Sequence, residues 1–331
     1  MRESDGVSEL AQALVRVLGV SEVAGLTRLS GGASRETWRF EADGRPLVLQ
    51  RQRSGDVRDM GVEASVLRAA FRAGVRVPEL VASGSHEDPD NPVGASYMIL
   101  EHVEGETIAR KILRDERFAV ARATLVGDMA RALAALHGVD PENVSGLTSI
   151  DQVAQYRTTL DDLNSRLGQS HPAFELAFRW LESNRPPSTR RTLVHGDFRL
   201  GNVMVDETGL RAVLDWELAH VGDPMEDLGW LCVRAWRFGS DLPVAGVGDY
   251  DALIEAYGEA SGVRVDREIV RWWEVLGTLK WGIMCMIQTS AHLLGATRSH
   301  ELAAIGRRVC ENEHDLFVVL DGHWQSIRRT S

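Results

Sequence analysis

The stretch of sequence that decides the fold is LVHGDFRLGNVMVDETGLRAVLDW, which occupies residues 193–216. It contains two short apolar runs, 203–205 and 212–214, and the residues between them include an aspartate and a glycine that favour a turn at 206–209. Apolar runs on both sides of such a turn predict a β-hairpin. This hairpin is the frame on which the polar residues of the stretch are arranged.

Four polar residues flank the predicted hairpin, with Asp197 two residues after His195 and Asn202 five residues after Asp197. If the hairpin is symmetric about the turn, Asn202 lies directly opposite Asp215, with Cβ atoms about 5 Å apart. An amide and a carboxylate oxygen at that separation can share one Mg²⁺, and Asp197 can accept the proton of an attacking hydroxyl. The spacing is that of a kinase catalytic loop. The simpler alternative is a set of polar residues that cap a turn.

Length and composition indicate a soluble chain of 331 residues, long enough for two domains or two lobes. Hydrophobic residues make up 44% and charged residues 26%, as in ordinary globular proteins. The net charge of −11, from 37 basic and 48 acidic residues, argues against a nucleic acid or an anionic membrane as partner. It does not exclude ATP, because a local pocket and Mg²⁺ can offset the negative charge.

Targeting and cysteine signals predict a cytoplasmic protein. The chain has three cysteines, Cys232, Cys285 and Cys310. Because their number is odd and they are widely spaced, neither a zinc site nor a disulfide framework is expected. The first ten residues, MRESDGVSEL, have no apolar core. The longest apolar stretch, 275–287, contains Lys280 and is too short to span a bilayer. The oligomeric state is left open.

The order of the elements predicts an α+β fold with two lobes. The first hundred residues predict mostly strands with one or two helices. The strands are predicted at 26–29, 36–41, 47–51 and 97–101, and a helix is predicted at 59–73. From there the pattern is mainly helical, with helices at 118–137 and 151–183 and in the last hundred residues. We therefore expect a small antiparallel-sheet N-terminal lobe that binds a nucleotide, residues 1–103, and a larger helical lobe, residues 104–331, with the catalytic loop and substrate site.

A glycine-containing loop between the first two strands is the first candidate for nucleotide binding. The loop contains Ser30, Gly31, Gly32 and Ser34. Its backbone N–H groups could approach phosphates closely, because glycine has no Cβ. The loop lacks the lysine and following helix of a Walker A motif. Two glycines between strands are otherwise an ordinary hairpin turn, so the position before a catalytic loop carries the prediction.

A kinase-like lobe also needs a cation on its third strand and a glutamate on the next helix that holds it. Glu63 is the glutamate candidate, although an acid in the first turn of a helix is favourable in any protein. The third strand has no lysine, and strand alternation places Gln50 at the usual position of the cation and Arg51 on the other face. A one-residue bulge could turn Arg51 inward, or Arg199 could supply part of the charge.

The segment after the last predicted strand of the small lobe is where an adenine would bind. Glu101 and Val103 would offer a backbone carbonyl and a backbone N–H to the edge of the base, with His102 between them. This expectation rests on the architecture, because the side chains of the segment carry no nucleotide signal.

Four motifs together resemble the aminoglycoside phosphotransferase and choline kinase group, which shares the protein-kinase-like fold. They are LSGGASRETWRF at 29–40, YMILEHVEG at 97–105, HGDFRLGNVMVD at 195–206 and VLDWELAHVGDPMEDLGWL at 213–231. The sequences of these motifs are most similar to those of the branch that is fused to acyl-CoA dehydrogenases in some long proteins. That branch is linked to the phosphorylation of hydroxyl groups, with hydroxyacyl thioesters among the acceptors to consider.

The resemblance implies ATP or GTP with Mg²⁺ as cofactors and the hydroxyl of a small molecule as acceptor. It implies Asp197 as the catalytic base, Asn202 and Asp215 as Mg²⁺ ligands, and His195 as a residue that shapes the loop. It also implies that Asp227 fixes the catalytic loop by hydrogen bonds. Gln50 departs from the family, whose members carry Arg or Lys there, and this departure puts phosphate alignment in doubt.

Two kinds of acceptor pocket are compatible with the sequence. A cationic antibiotic, an aminoglycoside or macrolide, would need a pocket lined by carboxylates, for which the candidates are Glu217, Asp223, Glu226 and Glu274. An acyl thioester would prefer an apolar pocket with some basic residues, for which the candidates are Trp236, Trp272, Trp273 and Trp281, with His220 and Arg234. We favour a metabolite that is not an antibiotic.

Two other classes of protein compete with a small-molecule kinase. A nucleotide-binding pseudokinase scaffold would explain Gln50, although the three residues Asp197, Asn202 and Asp215 are all present. A protein kinase would need a long activation segment, and the chain from Asp215 to Glu226 is too short for one. Trp216-Glu217 also replaces the Phe-Gly of protein kinases.

Overall fold

The computed structural model of the protein describes residues 3–29, 35–53, 60–187 and 190–329, with side chains described from residue 6 to residue 321. The predicted α+β architecture with two lobes is confirmed. A five-stranded antiparallel sheet forms the small lobe in the order β1-β2-β3-β5-β4. Its strands are β1 (Val23–Leu29), β2 (Arg35–Ala42), β3 (Arg45–Gln52), β4 (Leu80–Gly84) and β5 (Tyr97–Glu101).

The hairpin between β2 and β3 sets the register of the small lobe. Asp43 and Gly44 both have positive φ, at 46° and 80°, as a two-residue turn between twisted strands requires. The pairing then continues without a shift from Ala42 opposite Arg45 to Arg35 opposite Gln52. Residues that face each other across this hairpin share one face of the sheet, so the turn determines which side chains meet above it.

Helices cover the small sheet because its strands alternate apolar side chains between two faces. Helix α1 (Glu3–Leu18) places Leu14 in a cluster with Phe40 and Ile99 on one face. Helix α2 (Met60–Arg72) places Val66 in the large core, together with residues of β5 that point the other way. The predicted helix at 59–73 and strand at 97–101 are confirmed, while β4 was not predicted.

The larger lobe is mainly helical, as the sequence predicts. Its helices are α3 (Ala109–Arg114), α4 (Ala119–His137), α5 (Gln152–Leu167), α6 (Pro172–Ser183), α7 (Met225–Cys232), α8 (Tyr250–Ser261), α9 (Arg267–Leu293), α10 (His300–Ile305) and α11 (Arg308–Arg329). One core contains residues of α4, α7 and α8 and a second contains residues of α5, α6, α9 and α11. The helical region predicted at 151–183 is two helices, because Gly168 ends α5 in the left-handed conformation.

Two short antiparallel pairs enclose the loop at 195–202. Strand β6 (Thr192–Val194) pairs with β9 (His220–Gly222), and β7 (Val203–Val205) pairs with β8 (Leu210–Val213). The second pair is the predicted hairpin, and it places the chain that follows β8 beside the end of the loop at 195–202.

The predicted register of that hairpin is wrong by one residue. Val203 faces Val213, and the N–H of Leu214 donates to the carbonyl of Asn202 at 2.8 Å, so Asn202 lies opposite Leu214 and not opposite Asp215. The pairing shifts within the hairpin, where Arg211 is the extra residue of a bulge. A bulge cannot be seen in the apolar pattern, which explains the error.

No helix in the described ranges is both long enough and apolar enough to cross a bilayer. The predicted lobe boundary at residue 103 stays a prediction. Strand β5 ends at Glu101 and α3 begins at Ala109, so the boundary falls in the segment between the two elements.

Candidate active site

The loop at 195–202 connects β6 to β7, and its backbone is held by one buried carboxylate. Asp227 on α7 is fully buried and accepts the N–H of His195 at 2.8 Å and the N–H of Gly196 at 2.9 Å. His137 on α4 lies 3.1 Å from the same carboxylate. Burial alone would raise the pKa of Asp227, but the hydrogen bond from His137 and the loop N–H groups lower it below its usual value. The predicted loop-fixing contacts of Asp227 are present.

Gly196 allows the loop to turn at this point. Its φ is 78°, a conformation that side chains with a Cβ rarely adopt, and an added Cβ would collide with the carbonyl oxygen of Leu218. The loop carbonyl of the same residue accepts a hydrogen bond of 2.8 Å from Lys280 on α9. Lys280 was not singled out as a site residue, because the sequence places it inside an apolar helix.

His195 is a buried residue that links the loop to the hairpin. Its Nε2 donates to the carbonyl of Leu214 at 3.0 Å, and its Nδ1 accepts the N–H of Asp197 at 3.2 Å. Burial lowers the pKa of His195, so the ring is neutral near pH 7. Both ring nitrogens are used by backbone groups, which is the arrangement of a loop-shaping residue and not of an acid or base.

The carboxylate of Asp197 is partly exposed and held from three sides. Trp230 Nε1 donates to Oδ1 at 2.8 Å, Arg199 Nε lies 3.1 Å from the same oxygen, and Asn202 Nδ2 donates to Oδ2 at 2.6 Å. These contacts fix the orientation of the carboxylate while 13% of the side chain stays accessible. An oriented carboxylate with an open edge can hold the hydroxyl of an acceptor in place.

Arg199 belongs to the Asp197 side of the site. Its guanidinium lies 4.7 Å from the centre of the Trp236 ring while its Nε contacts Asp197. Trp236 packs against Trp230 and Trp281, so an aromatic cluster lies next to the catalytic loop. Arg199 thus contacts both Asp197 and this cluster.

Asp215 follows the hairpin in an unusual conformation and an acidic environment. Its φ is 65°, in the left-handed region. Burial and the nearby carboxylates of Glu217 and Asp197 raise its pKa to about 7. A carboxylate in such surroundings is stabilised in its charged form by a cation.

The residues present fit a Mg²⁺ ion. The amide nitrogen of Asn202 faces Asp197, which directs its amide oxygen away from that carboxylate. The amide of Asn202 and the carboxylate of Asp215 are hard oxygen donors, and phosphate oxygens and water complete such a site in kinases. No group of three or more His, Cys, Asp or Glu residues suited to a metal occurs in the described part of the chain, so no all-protein metal cage competes with this pair.

Glu63 does pair with a cation, but this cation lies on β2 and not on β3, where it was expected. Arg35 on β2 donates from Nη1 to Glu63 Oε1 at 2.8 Å and to Gln50 Oε1 at 3.2 Å. Its Nη2 lies 3.6 Å from Glu217. The Asp43–Gly44 turn was the available signal, because the register that it sets places Arg35 and Gln50 on one face.

The suggestion that a bulge turns Arg51 inward is wrong. The pairing of β3 with β2 and with β5 runs through Arg51 without a register shift, so Arg51 and Gln50 point to opposite faces. The role suggested for Arg199 on the nucleotide side does not fit its contacts with Asp197 and Trp236. The predicted loop residues Ser30, Gly31, Gly32 and Ser34 lie outside the described residues.

The adenine segment has the expected position at the end of β5. The N–H of Glu101 donates to Glu79 at 2.9 Å, and the N–H of His102 donates to Pro46 at 3.2 Å. Glu101 is exposed and Val103 is half-buried. Their contacts with an adenine stay a prediction.

The two lobes, the loop carrying Asp197 and the Asn202–Asp215 pair define the protein-kinase-like class of phosphotransferases. A model of the phosphotransferase enzyme family matches residues 25–273, which is most of the chain. The chain belongs to this family. The predicted resemblance to aminoglycoside phosphotransferases and to the kinase-like part of acyl-CoA dehydrogenase fusions is confirmed.

Two curated relatives are acyl-CoA dehydrogenase family members. Member 11 from Gallus gallus is 26% identical over 314 residues, which are 87% of this chain and 40% of that protein. Member 10 from Mus musculus is 29% identical over 230 residues, which are 66% of this chain and 21% of that protein. The chain therefore spans less than half the length of either relative.

Solved structures share the fold at lower identity. A protein from Ralstonia eutropha described as a candidate aminoglycoside phosphotransferase has a TM-score of 0.74 and 21% identity, covering 97% of this chain and 98% of that one. Spectinomycin phosphotransferase APH(9)-Ia, solved with ADP and spectinomycin, has a TM-score of 0.65 and 13% identity, covering 93% and 98%. At these identities the likeness concerns the fold.

Proposed function

We propose that the protein transfers the terminal phosphate of ATP, with Mg²⁺, to a hydroxyl of a small molecule. The observation that carries the proposal is the Asp197 carboxylate, oriented by Trp230 and Asn202 on a loop anchored by buried Asp227. Asp197 holds the acceptor hydroxyl and takes its proton. Asn202 and Asp215 would hold Mg²⁺, which supplies charge neutralisation for the phosphates. ADP bound to a protein of the same fold supports the use of a nucleotide.

The acceptor that fits best is not a cationic antibiotic. Glu274 is buried and accepts hydrogen bonds from Arg237 at 2.8 Å and Tyr250 at 2.7 Å. Glu226 is buried and pairs with His220 at 3.1 Å, and Glu217 lies 3.6 Å from Arg35 on the nucleotide side. These carboxylates are engaged by protein cations and so do not offer the open acidic pocket that a polycation needs.

The remaining candidates, Asp223, Trp272 and Trp273, line a different cavity. This cavity has a volume of about 300 Å³ and is also lined by Glu226, Leu276, residues of β9 and parts of the segments 149–153 and 185–191. Of the predicted tryptophans, Trp236 and Trp281 are the pair in the aromatic cluster beside Arg199 and Asp197. An apolar group of the acceptor would pack on the cluster side, next to the carboxylate.

A basic cavity next to this cluster favours an acceptor with negative charge. The cavity has a volume of about 700 Å³ and is lined by Arg110, Arg234 and Arg308, with Ala235 immediately before Trp236. Asp315 lies 3.2 Å from Arg234 and Glu311 lies 3.7 Å from Arg308, so Arg110 supplies the positive charge of the lining that these pairs do not offset. A hydroxyacyl thioester combines an apolar chain with phosphate groups on its carrier, and two relatives are acyl-CoA dehydrogenase family members. We therefore favour this class of metabolite over an antibiotic.

The test is turnover of ATP and of GTP, each with Mg²⁺, against aminoglycosides, macrolides, choline and hydroxyacyl-CoA thioesters. Asp197→Asn keeps the shape of the side chain and removes the base, so acceptor-dependent kcat should fall roughly 10²- to 10⁴-fold. Asp241→Asn, at an exposed position, is the matched control and should keep full activity.

The other outcomes identify the competing classes. Binding of Mg-ATP without turnover of any acceptor would contradict the proposal and favour a pseudokinase scaffold. Phosphorylation of peptides in place of small molecules would favour a protein kinase. Turnover of aminoglycosides or macrolides alone would overturn the preference for an anionic metabolite while leaving the phosphotransferase in place.

A further inference from the structure

Arg35 is the cation that three parts of the site share. It is 7% exposed, and its guanidinium contacts Glu63 on α2, Gln50 on β3 and Glu217 after the hairpin. The charge of Asp215 also acts on it. Arg35 thus joins the small lobe to the residues that would hold the metal.

The groups around Arg35 carry more negative than positive charge. A further cation would therefore be stabilised there, and a further acid would be repelled. Three carboxylates, Glu63, Glu217 and Asp215, surround one guanidinium. A phosphate group enters such surroundings only together with Mg²⁺ and against a fixed positive charge. A guanidinium offers five N–H donors in a planar fork, so contacts with Glu63 and Gln50 still leave donors for phosphate oxygens.

We propose that Arg35 binds the phosphates of the nucleotide, in the place of a third-strand lysine, and that Gln50 positions it. This inference rests on the proposed phosphotransferase function. Glu63 then has the partner that a kinase-like lobe requires, with the cation supplied from β2 instead of β3. Gln50 is not a defect in this arrangement, because its neutral amide oxygen accepts a hydrogen bond from Arg35 where a lysine would repel it.

The other arginines considered for this role are placed differently. Arg51 lies on the opposite face of the sheet, because β3 pairs on both sides without a bulge. Arg199 contacts Asp197 and lies over Trp236. Arg35 is the residue that brings a guanidinium against the acid of α2.

The experiment measures binding of Mg-ATP and of adenosine by calorimetry to the full chain and its variants. Arg35→Ala should weaken Mg-ATP binding roughly ten- to a hundredfold, the range for loss of charge-assisted hydrogen bonds, and leave adenosine binding unchanged. The double variant Arg35→Ala, Gln50→Lys should bind Mg-ATP more tightly than Arg35→Ala. Its gain in the logarithm of the affinity should be at least a third of the loss seen in Arg35→Ala. Arg39→Ala, four residues along the same strand and exposed, is the matched control.

The contrast between the two ligands separates phosphate binding from folding. Equal losses for Mg-ATP and adenosine, without recovery in the double variant, would overturn the inference in favour of a structural ion pair. Unchanged Mg-ATP binding in Arg35→Ala would overturn it as well. If Arg35→Ala does not fold, Arg35→Lys keeps the charge, loses the fork and should bind Mg-ATP more weakly than the wild type but adenosine equally well.

Failure of the proposed function has a different signature. A wild-type protein that binds neither Mg-ATP nor Mg-GTP would contradict both the phosphotransferase and the role of Arg35. A wild-type protein that binds and turns over ATP, with an Arg35→Ala variant that does the same, would contradict the role of Arg35 alone.

Discussion

The two sides of the site are built in contrasting ways. On the catalytic side, residues 195–202 are contiguous, and one carboxylate, Asp227, accepts two successive backbone N–H groups of this loop. On the nucleotide side, the ion pair joins Arg35 to Glu63, 28 residues apart, on a strand and a helix. The first side is fixed mainly by backbone hydrogen bonds, and the second depends on side chains that meet across elements.

This difference determines what each side tolerates. A loop held through its backbone keeps its shape when surrounding side chains vary, provided that the anchoring carboxylate and the glycine remain. A cation held through side chains can be moved to another strand if its guanidinium still reaches Glu63. The contrast predicts large structural effects on the catalytic side and ligand-specific effects on the nucleotide side.

The largest expected effect comes from removing the anchor of the loop. Asp227→Asn replaces one acceptor oxygen by an N–H₂ group that faces backbone donors, so the free energy of unfolding should fall by about 2 to 3 kcal/mol. The kcat should fall more than about tenfold, because Asp197 is no longer held in place. Urea unfolding and initial rates measure both effects, with exposed Asp241→Asn as control.

Asp227 also gives this effect a pH dependence. Because its pKa is lower in the folded protein than in the unfolded chain, its stabilisation is complete above the unfolded value and is lost as the pH falls through the folded value. The difference in stability between the wild type and Asp227→Asn should therefore shrink in acid. A difference that is the same at pH 7 and at pH 3 would show that the carboxylate is not the anchor.

A smaller effect should follow from replacing the glycine of the loop. Gly196→Ala forces a Cβ into the left-handed region and against the carbonyl oxygen of Leu218, which we expect to destabilise the protein by about 2 kcal/mol. Gly168→Ala is a matched control, because its φ is 62° but no atom lies within 4 Å of the added Cβ. It should show the conformational cost alone, about 1 kcal/mol. Thermal unfolding of the two variants compares them, and equal losses would remove the argument for close packing at Gly196.

The smallest expected effect concerns protons and metal on the nucleotide side. Asp215 has a pKa of about 7 in the metal-free protein, so a proton competes with Mg²⁺ below that value. Affinity for Mg-ATP should rise by up to about tenfold per pH unit below pH 7 and level off above it. The terminal phosphate of ATP titrates in the same range, so Asp215→Asn measured in parallel isolates the contribution of the carboxylate.

The same pKa predicts the stability of the protein without metal. A raised carboxyl pKa means that stability is lost as the pH rises from the unfolded value to about 7, and that the loss is complete above about 7. Mg²⁺ should reverse this loss. Identical stability curves for the wild type and Asp215→Asn between pH 5 and pH 8 would contradict the electrostatic account of this residue.

The sequence predicted the parts of the molecule that depend on neighbours along the chain. The catalytic loop, the hairpin and the strand at 97–101 follow from spacing, turn residues and apolar periodicity. It missed the parts that depend on register between elements. The bulge at Arg211 moved Asn202 opposite Leu214, and the β2–β3 register brought Arg35 beside Gln50. Lys280 was hidden in the apolar pattern of α9, since a buried lysine is identified by its partners, here the carbonyl of Gly196 and the carboxylate of Glu226.

The backbone of Asp215 has a consequence for how the chain can change over time. A φ of 65° costs an ordinary residue about 1 kcal/mol or more, and a glycine at this position would relieve that cost. Selection for stability alone would therefore favour glycine at this position. Without selection on phosphate transfer, a change from Asp215 to glycine should be tolerated, because it relieves the backbone cost while it removes only the proposed metal ligand.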